Sequence, residues 1–542
     1  MRRRYGFAAL LAAAPAMWAQ MGAPGPQIQT FLSAVDGSSQ PYALYLPEPF
    51  SANQKYPLVV SLHAEDSNHR LNLRQVLGTP ARIAQTNPDT LRFVPPVRGV
   101  EFVVACPLAR GTMGYRGIAE QDVYDMLADV QRRFPIDPDR VYLTGVSMGG
   151  GGALWLALTR PDLWAAVAPV CAAVIPGSEE LAPNLLDLPI RLFHGELDPL
   201  VTVNASRTWQ RRLLDLGVPA GYIEFPGVRH NAWDFAYRNG ALLDWFSGFR
   251  RNRFPERVRF ETRSYRYSSA YWVRIDGLTP GMPAGIDAQR TGAAEVRVET
   301  RHIDGFTLTL DRPAGVVVID GAMVRVKPAA TLSFSKSAGR WRAGLFTPSG
   351  KVQGAEGPIA EAVSSRHVYV FGTLGTPGAE ELEARRKLAE SAARWSTPHS
   401  HLALALPVKA DTAVTTEDLD AANLVLFGTA ETNSLIARFS NQLPLALHAG
   451  AADYGLLFIA PVAQHYVLVS SGLPWWTGAD EANHGGDPFA PAQYRLLSTF
   501  GDYILFKGSL GNVVAEGRFD RNWKVPAEAA SRMSATGTVT IH

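Results

Sequence analysis

Three residue types whose order along the chain suits nucleophilic catalysis stand out: Ser147, Asp198 and His230. A serine hydroxyl is a weak nucleophile until a base takes its proton. An imidazole serves as that base when a carboxylate fixes its tautomer and orientation. Ser147 lies in Gly145-Val-Ser147-Met148-Gly149, with a glycine two residues away on either side. That spacing fits a serine on a sharp strand-to-helix turn, because small neighbours let strand and helix pass closely. The following N–H, that of Met148, then belongs to a helix N-terminus and can hold an oxyanion. A second donor is expected from His63-Ala64-Glu65-Asp66, through the backbone N–H of Ala64 or Glu65. The carboxylates of Glu65 and Asp66 are expected to face solvent, since either one beside a developing oxyanion would oppose it. Tyr115 and Trp233 offer aromatic surface for an acyl or aryl group, or else core.

The surrounding pattern has to position these groups. Val141 to Leu143 read as a short buried strand before the turn, and Ala153 to Leu158 supply a helix after it. Tyr56 to Leu62, Val100 to Ala105, Leu163 to Val170, Leu188 to Phe193 and Gly221 to Phe225 read as further strands. Helical spacing runs over 120–134, 205–216 and 239–249. This alternation predicts a mostly parallel sheet covered by helices over 27–252. Asp198 falls on the loop after the strand ending at Phe193, and His230 on the loop after the strand ending at Phe225. Competing groups are placed worse: Asp187 precedes its strand, Asp215 ends a helix, and His194 sits at a strand end where it packs.

Past Arg253-Phe-Pro-Glu256 the pattern changes to short alternating segments without helical periodicity, which predicts a β-sandwich over 255–345. After the glycine-rich stretch 348–357, strands and helices alternate again, giving a smaller α/β domain over 357–525. Gly372-Thr-Leu-Gly375-Thr-Pro-Gly378 fits neither the dinucleotide fingerprint nor the P-loop, and reads as helix-start punctuation. Trp475-Trp476 beside glycines is either an exposed sugar-stacking pair or satellite core. All the candidate catalytic groups precede Phe254, so the later regions are expected to supply none.

Composition sets the outer bounds. A chain of 542 residues with 46% hydrophobic and 19% charged residues is an ordinary globular mixture with material for several cores. A net charge of +2 gives no bulk electrostatic argument for nucleic acid or a membrane surface. Arg2 to Arg4 followed by the apolar run 7–14 and small residues up to Ala19 predict a signal peptide over 1–19, and hence export to the periplasm or the exterior. No stretch is long and apolar enough to span a bilayer. The two cysteines, Cys106 and Cys171, make no disulfide scaffold, and their strands are expected to lie too far apart for a bridge. His399 and His401 are an isolated pair without a third ligand nearby, so no metal is expected, and no organic cofactor is implied.

Three collinear motifs carry a resemblance: the run 137–150 around the serine, Leu192-Phe-His-Gly-Glu-Leu-Asp198-Pro-Leu-Val201, and Pro226-Gly-Val-Arg-His230-Asn-Ala-Trp233. Together with the loop 110–122 they resemble secreted α/β-hydrolases of the feruloyl-esterase-like and polyhydroxybutyrate-depolymerase-like group, often labelled predicted peptidases of the prolyl-oligopeptidase type. The resemblance spans about residues 42–249. It implies an α/β-hydrolase fold with Ser147 as nucleophile, His230 as base and Asp198 as its orienter. Where that group usually has His-Gly, this chain has His63-Ala64, which would strain the loop if the position needed a positive φ.

The sequence thus points to a secreted serine hydrolase cleaving a small-molecule or polymeric carboxylic ester. One alternative is a serine peptidase of the prolyl-oligopeptidase type, and another is a non-catalytic surface-binding protein that keeps a relic triad. The acyl and alcohol parts of the substrate and the oligomeric state are not written in the sequence.

Overall fold

Buried β-branched and aromatic runs dictate three large sheets, one for each region of the chain. The computed structural model describes residues 23–65, 67–79, 96–397, 402–479 and 491–542. The expected signal segment, Asp66 and the pair His399 and His401 lie outside these residues.

The first sheet contains β1 (Gly25–Leu32), β2 (Ser39–Leu46), β3 (Tyr56–Leu62), β4 (Val103–Pro107), β5 (Ile136–Val146), β6 (Ala166–Val170), β7 (Ile190–Gly195) and β8 (Ala220–Phe225). Its order is β1-β2-β4-β3-β5-β6-β7-β8. β1, β2 and β4 pair antiparallel, and from β4 onward the neighbours are parallel. Every residue of β3 is buried, as a strand covered on both faces requires. Helices α1 (His69–Leu77), α2 (Ile118–Arg133), α3 (Met148–Thr159) and α4 (Asn204–Asp215) connect the strands. Separate apolar clusters fill the two faces, one around Val60, Leu143 and Leu156, the other around Tyr142, Phe193 and Phe246.

Two boundaries differ from the sequence pattern. Residues 100–102 stay outside β4, and the stretch before β6 begins with a 3-10 turn, Pro161–Leu163, because Pro161 has no N–H for a ladder. Cys106 is on β4 and Cys171 directly follows β6, with β3 and β5 between them; both thiols are free and buried.

Residues 257–343 are all β: β9 (Arg257–Thr262), β10 (Ser269–Ala270), β11 (Val273–Leu278), β12 (Ala284–Arg290), β13 (Glu295–Arg301), β14 (Ile303–Ile319), β15 (Ala322–Ser337) and β16 (Arg340–Ala343). They form one hydrogen-bonded sheet rather than two separate ones. The long strand β14 is the reason. Its first half pairs with β11 and its second half with β13, with a register shift between Thr309 and Ala314 in its pairing to β15. One apolar cluster, including Phe260, Ile286, Phe306 and Phe334, is shared by both halves.

The last region contains β17 (His367–Phe371), β18 (Val408–Ala410), β19 (Asn423–Phe427), β20 (Leu445–Leu447), β21 (Tyr454–Val462), β22 (His465–Gly472), β23 (Tyr503–Lys507), β24 (Val513–Gly517) and β25 (Val539–Ile541). Seven of them are ordered β18-β17-β19-β22-β21-β23-β24, while β20 and β25 pair separately. Helices α5 (Ala379–Ala393) and α6 (Ser434–Phe439) follow β17 and β19. α6 has a fixed start at Ser434. The Asn433 side chain caps it by accepting from the N–H groups of Leu435 and Ile436, so the helix cannot begin before that residue. Trp475 is 0% exposed and stacks on Phe427, so it is core and not a sugar platform.

The three regions bury parts of one another. Val35 and Ile118 belong to the same apolar cluster as Tyr369, Ile459 and Phe500. Arg110 is fully buried and pairs with Asp36 and Asp122 at 2.7 and 2.6 Å, and it also donates to the carbonyl of Ala403. Tyr267 donates to the buried carboxylate of Glu120 at 2.6 Å. Among the described residues no helix is long and apolar enough to cross a membrane.

Candidate active site

Ser147 stands between β5 and α3 with φ +55° and ψ −114°, a backbone conformation that an L-residue adopts only when its surroundings hold it there. The restraint is visible. The Ser147 N–H donates to Val170 O at 2.9 Å, and Ser147 O accepts from Gly151 and Ala173 at 2.9 and 3.1 Å. The two flanking glycines are required by close approach. A Cβ on Gly145 would lie 2.1 Å from Gly149 O, and one on Gly149 would lie 2.2 Å from Leu62 O. The strand and helix cross too tightly there for any side chain.

The structure brings Ser147, His230 and Asp198 together. His230 Nε2 is 2.9 Å from Ser147 Oγ, and His230 Nδ1 is 2.6 Å from Asp198 Oδ2. The other oxygen of Asp198 accepts from the N–H groups of Leu200 and Val201 at 2.9 and 3.0 Å. Burial works to raise the Asp198 pKa, but the hydrogen bond with His230 and those from Val201 and Leu200 outweigh it and hold the carboxyl below its usual range. The His230 side chain keeps 16% of its surface exposed while that of Asp198 keeps none, so the hydroxyl end of the relay is the accessible one.

The rivals do other work. His194 is buried, with Nδ1 against Ser206 Oγ at 2.7 Å and Nε2 against Val201 O at 2.9 Å. Asp187 is drawn up to about 7 by burial, away from this chain of contacts.

Met148 opens α3, so its N–H has no helical carbonyl to bond. Ala64 is half-buried and is not among the residues with positive φ, so alanine is unstrained where the resembling group has glycine. The Glu65 side chain is exposed, as expected of a carboxylate next to an oxyanion loop.

Two aromatics fare differently. Tyr115 is 2% exposed and belongs to the core. Its hydroxyl donates to His63 O at 3.1 Å, and its ring fills the space left by Gly152, whose added Cβ would lie 2.5 Å from it. Tyr115 therefore props the loop that carries Ala64. Trp233 is half-buried with its ring edge-on to His230, 5.5 Å between centroids, and remains beside the reacting groups.

Sequence reasoning passed over two residues that shape the site. His63 is buried, with Nε2 against Leu108 O at 2.9 Å and Nδ1 against Ala64 O at 2.7 Å; burial lowers its pKa, so it is a neutral strut of the oxyanion loop. Cys171, at φ +46°, places its thiol 3.1 Å from His230 O and steadies the histidine loop. Nothing in the spacing of either residue signalled these contacts. Cys171, Asp198 and His230 have ligand atoms mutually close enough for a metal. The Asp198 and His230 atoms already bond each other, and burial and the Asp198 charge push the Cys171 thiol up to about 12, so a cation would have to break that bond and displace the thiol proton.

Residues 33–212 match the Esterase family model, described as "Putative esterase". They form an esterase-type segment. The match takes in Ser147 and Asp198 and ends before His230, and it covers about a third of the chain.

Solved structures align over the same part. A thermostable esterase is 25% identical over 42% of this chain, with a TM-score of 0.34, and the chain spans 63% of its length. A ferulic acid esterase from Anaeromyces mucronatus is 17% identical over 41% of this chain and 93% of its own, with a TM-score of 0.32. An S-formylglutathione hydrolase from Agrobacterium tumefaciens is 16% identical over 42% and 97%, with a TM-score of 0.33.

Proposed function

We propose that the protein is an exported serine hydrolase that cleaves carboxylic esters through an acyl-enzyme. The observation that carries the reading is the unbroken relay Ser147 Oγ–His230 Nε2 and His230 Nδ1–Asp198 Oδ2, at 2.9 and 2.6 Å, built on a serine with positive φ. Ser147 Oγ attacks the ester carbonyl while His230 takes its proton. The oxyanion is received by the N–H of Met148 and by that of Ala64 or Glu65. The histidine then delivers the proton to the leaving alcohol, and afterwards activates the water that releases the acid. Asp198 stays ionised throughout and holds the imidazole in the tautomer with Nε2 free.

The basic and apolar start of the chain supports export. The shared core of the bent sheet at 257–343 supports reading that region as a β-sandwich closed by its long strands. Among the described residues of 357–525, none is hydrogen-bonded to Ser147 Oγ, His230 Nε2 or Asp198.

Ester cleavage is favoured over peptide cleavage. An amide needs a proton delivered to a poor leaving amine, and a bound peptide needs partners for its own N–H and C=O groups.

The test measures kcat/KM on matched short-chain or aryl esters and peptide amides, alongside labelling by a fluorophosphonate. Esters should be cleaved at least about a hundredfold more efficiently. Comparable rates on an unmodified peptide would promote the peptidase reading, and absence of both label and turnover would leave a binding protein with a relic triad.

A further inference from the structure

A cavity of about 530 Å³ lies where the three regions meet. The hydrolase region contributes Arg116 and Trp155 to its wall, the β region Glu261 and Arg266, and the last region Tyr494 and Arg518. Neither Ser147 nor His230 lines it. Its volume is in the range of small-molecule sites.

The three carboxylates on the wall are all engaged by arginine. Glu180 pairs with Arg263 at 2.7 Å, Glu361 with Arg266 at 3.2 Å and Glu261 with Arg301 at 2.5 Å. Two arginines are left over. The Arg116 guanidinium sits 4.9 Å above the centre of the Trp155 ring and has no hydrogen bond or ion pair among the described residues. The Arg518 side chain lies against Gly281, where a Cβ would come within 2.6 Å of its Nε, and its Nη1 is buried without an acceptor. The nearby carboxylate of Asp502 pairs through Oδ2 with Lys351, so those two charges offset each other, and its Oδ1 is buried without a hydrogen-bond partner. A buried guanidinium N–H without an acceptor is costly, and the fork of an arginine matches a carboxylate in two hydrogen bonds. Beside these cations the wall is apolar and partly aromatic, with Trp155, Leu497 and Phe500. Charge and shape together call for a flat apolar body ending in an anion.

We infer that this junction cavity binds a small aromatic carboxylate, whose anionic end Arg518 and Arg116 hold and whose ring rests on the apolar wall, at a site separate from Ser147. The ligand would contact all three regions, so its binding should also raise the melting temperature of the full chain by mass action.

The test uses the full-length protein with Ser147 blocked by a fluorophosphonate, titrated with benzoate in a calorimeter, with benzamide as the neutral control. Saturable benzoate binding is expected, weakened about tenfold or more in Arg518→Gln and in Arg116→Gln, with benzamide weaker by about the same factor. Arg116 is exposed, so its variant reports on the site even if Arg518→Gln disturbs packing. Should the protein take no label, the same titration on unlabelled protein and the same variants decide, so failure of the esterase reading stays separate from failure of this one. The inference is overturned by no saturable binding up to about 10 mM, by equal binding of benzamide, by unchanged affinity in the variants, or by loss of binding when Ser147 is blocked.

Discussion

Two parallel arrays of strands in this protein end in polar loops, and their aspartates are used in opposite ways. At the edge of the hydrolase sheet, Asp198 gives one oxygen to the N–H groups of Leu200 and Val201 and turns the other to His230 at 2.6 Å, with His194 Nε2 3.3 Å from that same oxygen. At the corresponding edge of the last sheet, Asp411 spends one oxygen on Thr373 N–H, Thr373 Oγ1 and Thr412 N–H, and the other on Ser434 N–H. Asn433 likewise donates to Val370 O and Phe427 O while capping α6. Arg385 closes the glycine-rich loop by donating to Gly372 O and Leu374 O. Both edges satisfy their backbones, but only the first leaves a side-chain relay ending in an accessible hydroxyl. A polar strand edge becomes reactive when a carboxylate retains a partner that can move a proton. When both oxygens are taken by backbone N–H and hydroxyl donors, the same residue type is a cap.

The sharpest way to break this contrast is to remove the hydroxyl. Ser147→Ala should lower ester kcat by about 10⁴-fold or more and abolish fluorophosphonate labelling, with an unchanged circular dichroism spectrum. Persistent labelling of the folded variant would remove Ser147 from the relay. Asp198→Asn should cost about 10³–10⁴-fold in kcat, because the amide can stabilise the wrong imidazole tautomer and cannot offset the imidazolium charge. In wild-type protein the depressed Asp198 pKa predicts that this carboxyl imposes no activity loss until the pH is below the ordinary carboxylate range.

Gly145→Ala probes the crossing that strains Ser147. Its Cβ would meet Gly149 O at 2.1 Å, and urea unfolding should show a loss of about 3 kcal/mol or more. The matched change at the other edge, Asp411→Ala, should cost about 1–3 kcal/mol by leaving N–H groups of Thr373 and Ser434 without acceptors, while ester kcat stays at the wild-type value. A fall in kcat there would make the second edge part of the site.

The smallest effect concerns His367, whose burial lowers its pKa from 6.5 to about 4. The unfolded chain then binds a proton that the folded chain does not, so stability is lost as pH falls from about 6.5 towards 4 and is fully present above that window. His367→Asn should flatten this slope by on the order of 1 kcal/mol per pH unit in unfolding experiments run across the window. An unchanged slope would mean that the histidine is not kept neutral by burial.

How much was legible in advance followed the range of the interactions. The turn around Ser147 is a local device: five residues, two of them glycine, between an apolar strand and a helix, and the pattern survives in the sequence because it must. Chain order alone put Asp198 and His230 on loops after successive strands, and the strand periodicities gave the register that aligns those loops. Tyr115 was unreadable for a different reason. An aromatic in a glycine-rich loop can face a pocket or the core, and the outcome turned on Gly152, 37 positions later along the chain, whose missing side chain makes room for the ring. Trp475 met the same fate against Phe427.

Residue types and spacing by themselves determined the nucleophile turn, the order of the relay and the change from mixed to all-β to mixed architecture, since each depends on neighbours within a few residues or on strand periodicity. Only the tertiary structure decided which aromatics are buried, that the middle strands form one bent sheet, that Arg110 bonds Ala403 across 293 positions of chain, and that Arg116 and Arg518 face one cavity. Those outcomes depend on which distant surfaces meet and on which charges find partners when they do. Local sequence carries no record of a partner hundreds of residues away, because the contact is selected by packing and desolvation in the assembled chain.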